Sequence, residues 1–142
     1  MKLFKSLVIA AALLSAAACN SMSAAPPAAA PATKSVSFIE PADGATVTSP
    51  FVVKFGVAGM QVQPAGTMTA DTGHHHLLIN ADAVPAMASI PMDEKHMHFG
   101  KGQTEATLNL APGKYKLTMQ FGNGVHQAYG PAMNKTINIT VK

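Results

Sequence analysis

Five of the six histidines in this 142-residue chain fall into two tight groups. One is Gly73-His-His-His-Leu-Leu-Ile79, the other Lys95-His-Met-His-Phe-Gly100; the sixth, His126, follows a Gly-Asn-Gly turn. A His-x-His pair on a strand sends both rings to one face, about 6.6 Å apart along the chain, and two such rings can lean toward one metal ion. His74 with His76, and His96 with His98, have this spacing. If the second group folds back over the first, four imidazoles meet, a donor set suited to zinc or copper(II). Met92 and Met97 flank the second pair, while Met60 and Met68 precede the first. Thioether neighbours would move the preference toward copper(I).

The expected ligands are therefore His74, His76, His96, His98 and His126, with copper favoured and zinc the alternative. His75, Met97 and Glu105 are expected as additional ligands or as outer supports that orient an imidazole. A second reading is a non-catalytic protein- or glycan-interaction domain. There the same histidines form a structural polar cluster or sense acid. Nucleophilic catalysis has little support. Asp71, Asp82, Asp93, Glu94 and Glu105 are scattered, and no Gly-x-Ser-x-Gly turn exists. Phe99-Gly-Lys-Gly-Gln103 is too short for a phosphate cradle and precedes no helical pattern. We expect no enzyme.

The elements that must position these rings read as strands. Phe51, Val53, Phe55 and Val57 alternate with Val52, Lys54 and Gly56. Tyr115 to Phe121 and Ile137 to Val141 alternate in the same way, with turn residues between the runs. Strands are expected near 35–40, 51–58, 74–80, 104–110, 114–121 and 135–141, with a long irregular excursion over 83–102. Leu110-Ala-Pro-Gly-Lys-Tyr115 resembles the corner at which a tyrosine hydroxyl closes back on the preceding turn of an immunoglobulin-like sandwich. The fold class is all-β, an immunoglobulin-like antiparallel β-sandwich. Which parity of the 74–79 run meets the core stays open. Leu77 and Ile79 facing inward would take His75 with them, whereas Leu78 facing inward would take His74 and His76.

The N-terminus is a targeting segment. Lys2 and Lys5 precede the apolar stretch Leu7–Leu14, which is too short to span a bilayer as a helix. Small residues then lead to Cys19, the only cysteine. Residues 1–18 are expected to be a signal peptide. Residues 19–34 are expected to be a lipidated Cys19 with a flexible Pro/Ala linker, and 35–142 a single domain. This places the chain in the bacterial periplasm, held to a membrane through lipid alone; the alternative is a soluble secreted or periplasmic product. With one cysteine no internal disulfide can form. All ten basic residues are lysine, and beyond the leader the remaining eight nearly balance seven acidic ones. Arginine forks and a basic stripe are both missing, so nucleic acid is not an expected partner. A metal ion or another envelope protein is.

Several stretches together resemble a family of bacterial secreted domains of unknown function. They are Glu40-Pro-Ala-Asp-Gly-Ala45, Ser49-Pro-Phe-Val-Val-Lys-Phe-Gly56, Thr72-Gly-His-His-His-Leu-Leu-Ile79, His96-Met-His-Phe-Gly-Lys-Gly-Gln-Thr-Glu105 and Leu108-Asn-Leu-Ala-Pro-Gly113. The resemblance covers essentially all of 36–142. It implies export and one β domain, and it carries no established activity.

Overall fold

A computed structural model describes residues 32–142. The leader, Cys19 and nearly all of the linker lie outside the described residues. The strands are β1 (Ser35–Glu40), β2 (Thr46–Val47), β3 (Phe51–Ala58), β4 (Gln61–Val62) and β5 (Thr72–Ile79). They continue with β6 (His96–His98), β7 (Glu105–Leu108), β8 (Gly113–Gly122) and β9 (Asn134–Val141). A single 3-10 turn, Pro131–Met133, leads into β9.

Two sheets face each other. One has the order β1-β3-β7, the other β2-β9-β8-β5-β4, with β6 also pairing to β5. The arrangement is an all-β sandwich whose main strands run β1-β3-β7 in one sheet and β9-β8-β5 in the other. Tyr115 Oη donates to Ala111 O at 3.0 Å, the corner its sequence context suggested.

Alternation decides which side chains enter the core. On β8, Leu117, Met119 and Phe121 are fully buried between the sheets, and so are Val53 and Phe55 of β3. Each such side chain contributes about 1.5–3 kcal/mol through removal of apolar surface from water. On β5 the register pairs His75 with Phe121, Leu77 with Met119 and Ile79 with Leu117. The inward set is therefore His75, Leu77 and Ile79, which settles the parity left open by the sequence.

The outward set of β5 is His74, His76 and Leu78, yet all three are fully buried. A second layer covers them. Val84 N donates to Gln120 Oε1 at 2.8 Å and Val84 O accepts from Gln120 Nε2 at 2.7 Å, which clamps the segment after β5 onto β8. Ile90, also buried, sits over Gly122. The excursion expected to be irregular over 83–102 contains β6 within it, because residues 96–98 supply the missing partner for the second half of β5.

Candidate metal centre

His74 and His76 leave β5 on the same side, as their spacing requires, with Nε2 atoms 3.0 Å apart. Antiparallel pairing sets His98 of β6 directly opposite His76. His126 arrives from the loop after β8, its Nε2 3.0 Å from that of His98. The six ring-centroid separations among these four residues run from 4.6 Å (His98–His126) to 5.9 Å (His76–His126). The ligand nitrogens of His74, His76 and His98 all lie within 4.8 Å of one another. Around a tetrahedral ion with nitrogens at 2.0–2.1 Å, neighbouring nitrogens would be roughly 3.3 Å apart. The cage is close to that size before any ion enters.

The loop that delivers His126 is held by several hydrogen bonds. His126 itself is left-handed, φ +67°, an uncommon conformation for a residue with a side chain. Asn123, buried, holds the loop. Its Oδ1 accepts from Val125 N at 3.0 Å and Gln127 N at 2.9 Å, and its Nδ2 donates to Gln127 Oε1. His126 N donates to Asn123 O, and His126 O accepts from Ile90 N. Backbone strain of about 1–3 kcal/mol persists only where the surroundings enforce it. Replacing Asn123 by Ala should release the loop and weaken metal binding by about 10–100-fold, the usual effect of losing an outer support. Titration of Asn123→Ala beside the parent protein checks this; equal affinities would mean the loop is held by other contacts.

Two glycines leave the rings their space. A Cβ at Gly122 would sit 3.1 Å from His76 Nε2 and 3.0 Å from Ile90 Cδ1, and a Cβ at Gly100 would collide with the His98 ring.

The electrostatics favour the neutral form of His74, His76 and His98. Burial, followed by the repulsion of neighbouring imidazoles, lowers His74 to about 4 and His76 to about 3. His98 is lowered for the same two reasons, burial first. Lone pairs are therefore available at neutral pH. Two facing neutral imidazoles can share only one proton, and the Nδ1 atoms of His74 and His76 have no partner. A cation at the centre would satisfy the converging Nε2 lone pairs together.

This has a measurable consequence for the metal-free protein. Unfolded, His74 and His76 take up protons near pH 6.5, whereas in the fold they refuse them until about 4 or below. Between these values the unfolded state binds more protons, so stability rises with pH. The full contribution is present above about pH 6.5 and is lost as pH falls toward 4. Urea midpoints measured from pH 7 down to 4.5 should decline steadily, and a flat profile would contradict the lowered values.

The remaining expected residues lie elsewhere. His96 is on the same strand as His98 but opposite Leu78, one pleat away from the centre, and its Nδ1 bonds Asp93 Oδ1 at 2.7 Å. His75 points the other way, between the rings of Phe55 and Phe121. Met97 lies opposite Leu77 and packs against the core. Met60 is a core residue, while Met68 and Met92 are exposed. Glu105 is exposed on β7 in the opposite sheet, across from Lys54. Asn123, Gln127, Gly100 and Gly122 carry structural roles at the centre that the sequence reading missed. The signal available was the Gly-Asn-Gly run beside His126, which read only as a turn.

A profile of the family described as Domain of unknown function DUF4399 matches residues 53–142. The chain belongs to the DUF4399 family. The match starts within β3 and takes in every histidine of the chain, while β1 and β2 precede it. No curated protein and no solved structure matches this DUF4399 chain.

Proposed function

We propose that this DUF4399 domain is an envelope metal-binding module that holds one copper or zinc ion through His74, His76, His98 and His126. The carrying observation is the convergence of four imidazoles from β5, β6 and the loop after β8 on one point. Four protein ligands complete a tetrahedral shell, whereas catalytic sites usually keep one position open for water or substrate. The role that follows is sequestration or delivery rather than turnover. The leader-like residues 1–18 and Cys19 support a site displayed from the outer side of the cytoplasmic membrane, tethered by lipid and linker. His98 and His126 are half-buried while His74 and His76 form the floor, so an ion would enter from the His98/His126 side.

Isothermal titration of chelator-stripped protein tests this. The expected result is one ion per chain with affinity tighter than about 1 μM. It should be abolished in the His74→Ala/His76→Ala double variant and retained in His96→Ala. Binding weaker than micromolar for copper(I), copper(II) and zinc alike would reject the module.

A further inference from the structure

We propose that the four-imidazole cage selects by shape and charge, taking copper as copper(I) in preference to copper(II) or zinc. This rests on the reading of His74, His76, His98 and His126 as the ligands.

Opposite edges of the cage define its shape. His74–His76 and His98–His126 are 4.7 and 4.6 Å, His74–His126 and His76–His98 are 5.0 and 5.1 Å, and His74–His98 and His76–His126 are 4.9 and 5.9 Å. A square of such sides would have two diagonals of about 7 Å, the tetragonal layout that copper(II) prefers. No pair of opposite edges has that length, so the rings stand at the corners of a slightly stretched tetrahedron. Flattening is blocked from several sides. Ile90 N holds His126 O at 2.8 Å, His76 lies against Gly122, and His98 lies against Gly100.

Charge separates copper(I) from zinc, which shares the tetrahedral preference. The clustered ligand group among the described residues is all histidine, with no carboxylate or thiolate. Asp93 is engaged by His96, one pleat away. Four neutral imidazoles leave the ion's charge uncompensated above a floor from which His74 and His76 expose no surface. The cost of removing an ion from water grows with the square of its charge, so a divalent ion is penalised about fourfold more than a monovalent one.

The test is a set of chelator competitions on the whole protein, anaerobically with copper(I) and separately with copper(II) and zinc. The expected result is copper(I) binding at least about 100-fold tighter than either divalent ion. Zinc or copper(II) bound as tightly as copper(I) would overturn the selection while leaving the metal module intact. Failure of all three ions would overturn both. His126→Asp is the second arm, since Asp tolerates left-handed backbone and adds an anionic ligand. It should shift the ratio toward zinc by about 10-fold or more; an unmoved ratio in a variant that still binds would remove the charge argument.

Discussion

Saturation with the preferred ion should raise the melting temperature of the domain by about 15–30 °C. An ion that binds only the folded chain stabilises it by about 4 kcal/mol when its free concentration is 1,000 times Kd. For a domain of this size each kcal/mol moves the midpoint by about 4–8 °C. The folded state has a large advantage in affinity because the ligands come from β5, β6 and the loop after β8, which only the fold brings together. Differential scanning calorimetry with and without chelator gives the answer directly. The His74→Ala/His76→Ala variant should show no shift. A rise of less than about 3 °C alongside stoichiometric binding would show that the unfolded chain holds the ion nearly as well, which the linkage between binding and folding does not allow for a preformed cage.

The second large effect concerns His75, one of the two histidines outside the cage. His75 is fully buried, and both of its ring nitrogens lack a hydrogen-bond partner. Phe55 and Phe121 lie 5.1 and 5.0 Å from it, centroid to centroid. Its proton affinity is lowered to about 4 by burial. A buried polar group with no partner costs about 1–3 kcal/mol relative to one that is satisfied. Leu has a similar volume and brings no polar atom. His75→Leu should therefore stabilise the metal-free protein by about 1–3 kcal/mol, moving the urea midpoint up by roughly 1 M at a typical denaturant slope. Metal affinity should be unchanged, since His75 faces the opposite side of β5 from His74 and His76. Destabilisation by more than about 1 kcal/mol would mean that the ring makes a bond to something the protein atoms do not include, such as an internal water.

These two predictions mark where sequence reasoning worked and where it stopped. β3, β8 and β9 were readable because each has one face against apolar residues and one against water or polar groups, which leaves a period of two. β5 was readable as a strand but not in its facing, because both of its faces are buried. Its inward side meets Phe121 and Met119, and its outward side is roofed by the segment through Val84 and Ile90. Alternation cannot say which side is which when neither is wet. The spacing of His96 and His98 correctly places both on one face of a strand, but register selects between them. Register puts His98 beside His76 and His96 beside Leu78. No local residue pattern encodes that choice, because it depends on how residues 80–95 return across the sheet. His126 was expected as a ligand from its residue type alone, since an isolated histidine after a turn has no spacing that announces a partner 28 residues away in sequence; the Asn123 loop is what brings it to the cage.

The cage also joins distant parts of the chain. His76 and His98 are tied across the hairpin-like return of residues 80–95, and His98 and His126 across β7 and β8. In a chain with a single cysteine, an ion bound there would serve as a cross-link of the disulfide kind. It differs from a disulfide in being reversible without redox chemistry. If an ion binds there, its departure would take the staple from the roof over β5 and make residues 80–95 the natural place for a protease to cut. The lifetime of the protein would then follow the supply of that metal.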